Sequence, residues 1–144
     1  MWPNRSNTPA DSATTPERPL VLIVDDEPPV RELEHRMLTQ AGFDTIQADE
    51  AEKALAVIKE GKPVDLVIAD VHMPGMNGDE MARRIRALRP DLKILFVTGF
   101  ADTLFTSQPL LWENQAYLDK PFTRRGLIEA VSLLLDGNMR RVAG

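Results

Sequence analysis

The segment LVLIVDDE, residues 20–27, decides the fold class because five aliphatic residues lead directly into three acidic ones. An uninterrupted aliphatic run of this length is typical of a strand that is buried on both faces, as strands of parallel sheets are. Two later segments repeat the pattern: VDLVIA (64–69), which ends at Asp70, and KILFV (93–97), which ends at Thr98. The sequence therefore predicts a sheet of buried parallel strands whose ends carry polar side chains.

Apolar residues recur at helical spacing in four places between and after these runs. The four sets are Val30, Leu33, Met37, Leu38 and Ala41; Ala51, Ala54, Leu55 and Ile58; Met81, Ala82, Ile85 and Leu88; and Leu127, Ile128, Val131, Leu134 and Leu135. Gly42, Gly61, Pro90 and Gly137 follow the sets in turn, and glycine and proline at such positions are suited to end helices. Four helices are therefore predicted.

Two further runs, DTIQA (44–48) and AYLD (116–119), complete five predicted strands. The alternation of strand and helix predicts an α/β fold: a doubly wound, five-stranded parallel sheet with helices on both faces, of the flavodoxin-like type. Pro109 interrupts the apolar segment 101–115, which is either core packing or an exposed partner surface. Ligands of such sheets bind outside the carboxyl ends of the strands, so these ends are where a site is expected.

Length and composition restrict the possible functions. The chain has 144 residues, of which 43% are hydrophobic and 27% charged, as in one globular domain. We expect residues 1–18 to form a flexible tail, 19–137 the domain and 138–144 a short C-terminal tail. The net charge of −5 argues against nucleic acid as a partner, and no apolar run is long enough to span a membrane. The absence of cysteine is compatible with the cytoplasm, where we expect the protein to be located.

Polar side chains follow the first, third, fourth and fifth predicted strands. Asp25 and Asp26 follow the first strand, Asp70 the third, Thr98 the fourth and Lys120 the fifth. Three carboxylates at one edge of a sheet repel one another unless a cation neutralises them, and oxygen ligands without His or Cys favour Mg²⁺. Lys120 and Thr98 are suited to hold a phosphoryl group, and Asp70 is suited to be its covalent acceptor.

Four motifs together resemble the receiver domain of two-component response regulators. They are VDDE (24–27), VIADVHMPGMNG (67–78), FVTG (96–99) and YLDKPF (117–122), and the resemblance covers residues 20–136. It implies a phosphoprotein of two-component signal transduction that is not an enzyme beyond catalysing its own phosphorylation and dephosphorylation.

The resemblance also implies what the acidic residues do. Asp70 would accept a phosphoryl group from a phosphohistidine on a sensor histidine kinase or on a histidine phosphotransfer protein. Asp25, Asp26 and Asp70, with the backbone carbonyl of His72, would hold Mg²⁺. The side chain of His72 is more simply a solvent-facing loop residue than a catalytic one.

The remaining motif residues are implied to form the switch. Lys120 would pair with the phosphoryl oxygens, aimed into the site by a cis peptide bond to Pro121. Thr98 would move to hydrogen-bond the phosphorylated Asp70, and Tyr117 would then turn inward. The changed surface would contact a downstream protein that the sequence does not identify, with the receiver itself a monomer or weak dimer. Phe100 follows the Thr98 motif and either shields the phosphoryl group or packs against a helix.

Alternatives to this interpretation differ in testable ways. Few residues follow Asp136, so we expect a stand-alone receiver. The alternative interpretation is a receiver fragment of a larger regulator or hybrid histidine kinase. A phosphatase with an Asp nucleophile is disfavoured because such enzymes use D-x-D, whereas Glu27 stands two residues after Asp25. A flavin-binding module is disfavoured because no loop rich in Ser, Thr and Gly follows the first strand.

Overall fold

The computed structural model describes residues 18–99 and 114–136, which form a five-stranded sheet and four helices. The strands are β1 (Leu20–Val24), β2 (Asp44–Ala48), β3 (Leu66–Asp70), β4 (Lys93–Thr98) and β5 (Gln115–Asp119). The helices are α1 (Pro28–Gln40), α2 (Ala51–Lys59), α3 (Gly78–Leu88) and α4 (Arg124–Asp136). Every strand pair is parallel, which confirms the predicted α/β fold.

The order of the strands, β2-β1-β3-β4-β5, determines where a ligand site forms. The chain adds β2 on one side of β1 and the later strands on the other, so β1 and β3 meet at the topological switch point. In the register of the sheet Val24 lies opposite Ala69, and Asp70 lies opposite Val97. The residues that end or follow β1, β3 and β4 therefore share one edge.

Apolar clusters cover both faces of the sheet. Alternate residues of β1 belong to different clusters: Leu22 and Val24 pack with α2 and α3, whereas Val21 and Ile23 pack with α1 and α4. All four side chains are at most 1% exposed. Full burial of an aliphatic side chain of this size contributes about 1.5–3 kcal/mol, so the central strand is a rigid support for the residues at its end.

β3 begins two residues later than the apolar run predicts, at Leu66 instead of Val64. Before this point Asp65 and Leu20 are joined in both directions: the carboxylate of Asp65 accepts the backbone N–H of Leu20 at 2.8 Å, and the N–H of Asp65 donates to the carbonyl of Leu20 at 2.8 Å. The ladder between β1 and β3 starts at the pair Val21–Leu66.

The buried face of α1 includes Leu38, as predicted, but it differs from the predicted apolar face at Leu33. Leu33, expected in the core, is 47% exposed, whereas the neighbouring Glu34 is 1% exposed. Residues 30, 34 and 38 form one i, i+4 row, and this row faces the sheet. At the end of α3, Leu88 is 44% exposed because it is the last residue of its helix.

Several predicted features lie outside the described residues, namely Phe100, the segment around Pro109 and most of both predicted tails. Arg18, the last residue of the predicted N-terminal tail, is described, and its guanidinium donates to the carbonyls of Thr39 and Gly42 at the end of α1. In the described part of the chain, no helix combines the length and apolarity that a membrane crossing requires.

Candidate functional site

Three carboxylates meet where β1 and β3 end. Each of Asp25, Asp26 and Asp70 offers an oxygen, and these oxygens lie within 4.8 Å of one another. Asp25 is 1% exposed and Asp70 is 6% exposed, whereas Asp26 is half-buried at the rim. The parallel register places the end of β1 beside the end of β3, which explains why residues 45 positions apart in sequence share a site.

The carboxylates destabilise one another's charged forms. Burial is the main reason that the pKa of Asp25 is raised to about 6. Repulsion from Asp70 and Asp26 also raises it, whereas the hydrogen bond from Glu27 and the attraction of Lys120 lower it. Burial likewise raises the pKa of Asp70, although Lys120 and the amide of His72 oppose the change. A divalent cation that accepts oxygen ligands would relieve this repulsion, so the residues present fit such an ion.

Each buried carboxylate has one oxygen fixed by the loop that follows its strand. Asp25 Oδ1 accepts the N–H of Glu27 at 2.9 Å, and Asp70 Oδ1 accepts the N–H of His72 at 3.1 Å. The other oxygen of Asp70, Oδ2, lies 3.4 Å from Lys120 Nζ. Asp70 is therefore oriented from two sides.

Lys120 reaches the site from the loop after β5. Its pKa is affected most by burial, which lowers it, but the attraction of Asp70 and Asp25 outweighs burial and the net shift is upward. Lys120 is therefore a cation when Asp70 is ionised. Its peptide bond to Pro121 is cis, as predicted, and its N–H donates to the carbonyl of Thr98 at 2.7 Å.

The structure places the two predicted switch residues on adjacent strands. Thr98 ends β4, is fully buried, and its hydroxyl donates to Asp119 Oδ1 at 3.5 Å. Tyr117 lies in β5, opposite Phe96, and the two rings stack with centroids 5.2 Å apart. The side chain of His72 is exposed.

Gly78 is a residue of the site that the sequence reasoning missed. It is the first residue of α3, and a Cβ atom built on it would lie 2.6 Å from the backbone oxygen of Asp70 and 3.0 Å from Cα of Val71. Its N–H donates to the carbonyl of Val71 at 2.8 Å. Only glycine permits this approach of α3 to the end of β3, and the turn-rich motif before α3 is the sequence signal that could have indicated it.

Glu34 is the second missed residue. Among residues 18–99 and 114–136, neither of its carboxyl oxygens has a hydrogen-bond partner. Burial, followed by repulsion from Asp25, raises its pKa to about 8. The charges of Lys120 and Asp70 also act on it, with opposite signs. A charged residue type in the i, i+4 row between Val30 and Leu38 was the available signal.

Comparison with known proteins agrees with this geometry. A family model described as the response regulator receiver domain matches residues 21–132. The response regulator receiver protein CpdR of Brucella abortus is 32% identical over 80% of this chain and 95% of CpdR. The structure of the response regulator TrrA from Thermotoga maritima in complex with Mg²⁺ and BeF is 37% identical, with a TM-score of 0.71 over 81% of this chain and 98% of TrrA.

Other relatives are much longer than the matched region. The sensor kinase CckA of Brucella abortus is 35% identical over 81% of this chain, but the match covers 12% of the kinase. The chain spans about half the length of several curated transcriptional regulatory proteins. The similarity therefore concerns one domain that occurs both alone and within larger proteins.

Proposed function

The chain belongs to the family of response regulator receiver domains, and from this premise we propose that it is a phosphorylation switch with Asp70 as phosphoryl acceptor. One observation carries the proposal: Asp70 is held between the amide of His72 and the ammonium of Lys120 at the switch point of the sheet. This arrangement leaves a carboxylate oxygen beside a cation, where a phosphoryl group can be accepted.

In the proposed step the phosphoryl group passes directly from a histidine to Asp70. An oxygen of ionised Asp70 attacks the phosphorus of a phosphohistidine on a sensor histidine kinase or histidine phosphotransfer protein. The P–N bond breaks, its electron pair stays on the imidazole nitrogen, the ring takes up a proton from solvent and leaves as neutral imidazole, and an acyl phosphate forms on Asp70. Lys120 pairs with the added negative charge, which moves its ammonium from the carboxylate to the phosphoryl oxygens.

Asp25, Asp26 and Asp70 are the residues that would hold Mg²⁺, together with the backbone carbonyl of His72. When bound, the ion would supply positive charge to the transferring phosphoryl group. Burial, with added repulsion from Asp70 and Asp26, raises the pKa of Asp25, and a bound cation would offset both effects. The Mg²⁺ complex of TrrA also supports this assignment.

The switch that follows involves the buried Thr98 and the half-buried Tyr117. The acyl phosphate has more acceptor oxygens than the carboxylate, and Thr98 can donate to one of them only by moving from Asp119. We propose that Tyr117 turns inward with it and that the altered surface binds a downstream protein. The match to nearly the whole of CpdR supports a stand-alone receiver, and the match to CckA supports a receiver within a hybrid kinase. We also propose that the protein is cytoplasmic and monomeric or weakly dimeric.

Intact-mass measurement after incubation with acetyl phosphate tests the proposal. We expect the wild type to gain one phosphoryl group when Mg²⁺ is present and none in EDTA. Asp70→Asn should gain none, whereas the matched control Asp44→Asn, which changes an exposed aspartate of β2, should behave as the wild type. Equal labelling of Asp70→Asn, or no labelling of the wild type, would overturn the proposed function.

A further inference from the structure

The hydroxyl of Tyr117 is bonded at the beginning of β5, away from the carboxylates at the end of the sheet. Gln115 Nε2 donates to Tyr117 Oη at 3.0 Å, and an NH group of Arg86 donates to Gln115 Oε1. Gln115 is 7% exposed, and Arg86 and Tyr117 are half-buried. We call these three residues the Tyr117 latch.

The latch has a defined hydrogen-bond direction. A guanidinium can only donate, so Arg86 requires the oxygen of the Gln115 amide to face it. The NH₂ end of that amide then faces Tyr117, whose oxygen accepts. If Tyr117 moved away, a buried NH₂ donor would lose its partner, and such a loss costs free energy.

The aromatic ring of Tyr117 is also held by a packing contact. Phe96, which is 1% exposed, stacks against it at an interplanar angle of 24°. Burial and then the charge of Asp79 raise the pKa of the phenol, so Tyr117 is neutral around pH 7.

Helix α3 connects the latch to the phosphoryl acceptor. Its first residue, Gly78, packs directly on the backbone of Asp70, and Arg86 lies in its last turn. A displacement of the Asp70 loop therefore acts on α3 through Gly78, and a displacement of Tyr117 acts on the same helix through Gln115 and Arg86.

We propose that Gln115, oriented by Arg86, is a positioning residue that holds Tyr117 in its resting conformer and so sets how readily phosphorylation switches the domain. This inference rests on the proposed function, because it assumes that Tyr117 changes conformer when Asp70 is phosphorylated. Loss of the latch lowers the free-energy difference between the resting and switched conformers, and a ligand that selects the switched conformer then binds more tightly.

The test uses the full chain with ring-¹³C-labelled tyrosine, because Tyr117 is its single tyrosine and gives an unambiguous NMR signal. The variants are Gln115→Leu, which keeps the side-chain volume, and Arg86→Met, which keeps the aliphatic stem. Gln40→Leu is the matched control, since Gln40 is exposed at the end of α1. Spectra are recorded without ligand and during titration with beryllofluoride and Mg²⁺.

We expect the unliganded tyrosine signal of both latch variants to move toward its position in beryllofluoride-bound wild type. We also expect beryllofluoride to bind Gln115→Leu about two- to tenfold more tightly than wild type, the effect of one buried hydrogen bond. Gln40→Leu should match the wild type in both measurements. A merely structural role of Gln115 would leave the beryllofluoride affinity unchanged.

An unchanged tyrosine signal in both variants would overturn the latch whatever the titration shows. A changed signal with unchanged or weaker beryllofluoride binding would overturn its role in switching. If wild type itself bound no beryllofluoride, the proposed function would fail and the switching role with it, while the unliganded spectra would still decide whether Gln115 restrains Tyr117. The two failures are therefore distinguishable.

Discussion

Lys120 Nζ lies 3.4 Å from Asp70 Oδ2, although the two residues are 50 positions apart in the sequence. The ion pair is mostly buried: the Asp70 side chain is 8% exposed and the Lys120 side chain 29%. Lys120 is thus the cation that partly offsets the repulsion among Asp25, Asp26 and Asp70, and its position is where phosphoryl oxygens would need a partner.

Replacing Lys120 should impair phosphorylation more than folding. Lys120→Met removes the cation beside Asp70 but keeps the aliphatic stem, so we expect labelling by acetyl phosphate to slow by about tenfold or more. The rate is measured by intact mass over time. Lys59→Met, at an exposed position of α2, should leave the rate unchanged. Similar rates for wild type and Lys120→Met would contradict the assigned role.

Glu34 should reduce the stability of the protein. Because its buried carboxyl has no hydrogen-bond partner in the described part of the chain, Glu34→Met should raise the free energy of unfolding at pH 7 by about 1–3 kcal/mol. Urea unfolding monitored by circular dichroism measures the change. Glu32→Met alters an exposed glutamate of the same helix and should change stability by at most about 0.5 kcal/mol. A destabilised Glu34→Met would show that the carboxyl is satisfied in solution.

Stability should fall as pH rises from about 4 to 8 in EDTA. The folded state raises the pKa of Asp25 from 3.8 to about 6 and that of Glu34 from 4.5 to about 8. The folded protein therefore binds these protons more tightly than the unfolded chain. The stabilisation that results from this difference is lost as each group ionises in the folded state. Urea unfolding between pH 4 and pH 9 measures the slope. Glu34→Gln should lack the fall between pH 6 and pH 8; an identical slope in that variant would refute the assignment.

Asp25→Asn should change stability in opposite directions with and without Mg²⁺. Removing one of three repelling carboxylates should raise the Tm in EDTA, while Asn can still accept the N–H of Glu27. Saturating Mg²⁺ should stabilise wild type by about 3 kcal/mol at one hundred times its Kd, and the variant much less. Differential scanning fluorimetry at pH 8 measures both. Asp91→Asn, at an exposed position, serves as control, and an equal Mg²⁺ effect in Asp25→Asn would exclude Asp25 as a ligand.

Gly78→Ala should disturb the site through the backbone. The added Cβ would lie 2.6 Å from the backbone oxygen of Asp70, so α3 must shift. We expect this shift to cost about 1–3 kcal/mol of stability and to slow phosphorylation of Asp70. Gly126→Ala in α4 is the matched control, because its Cβ meets only the side-chain oxygen of Thr123 at 3.3 Å. Both effects are measured by urea unfolding and intact mass. Equal behaviour of the two variants would show that the loop yields without cost.

The amino-acid sequence was sufficient for the sheet and for the residues at its ends. Aliphatic runs that end at Asp25, Asp70 and Thr98 are local patterns, and the rule that parallel strands end at one edge converts them into a site. The cis peptide bond before Pro121, inferred from the family resemblance, is also present. The strands and their polar ends depend on neighbouring residues and on a general rule of topology, so a single sequence contains them, whereas the cis bond was available only through the resemblance of the motif.

Tertiary packing decided two features that local sequence patterns do not contain: which face of α1 is buried, and which residues surround Tyr117. The rotation of α1 about its axis buries Glu34 and exposes Leu33, and this rotation depends on how the whole helix packs on the sheet. Arg86 and Gln115 are 29 positions apart and meet only because α3 packs in the same apolar cluster as Tyr117 of β5. Sequence periodicity indicates that a helix has a buried face, but the energy of all its contacts together selects which residues form that face.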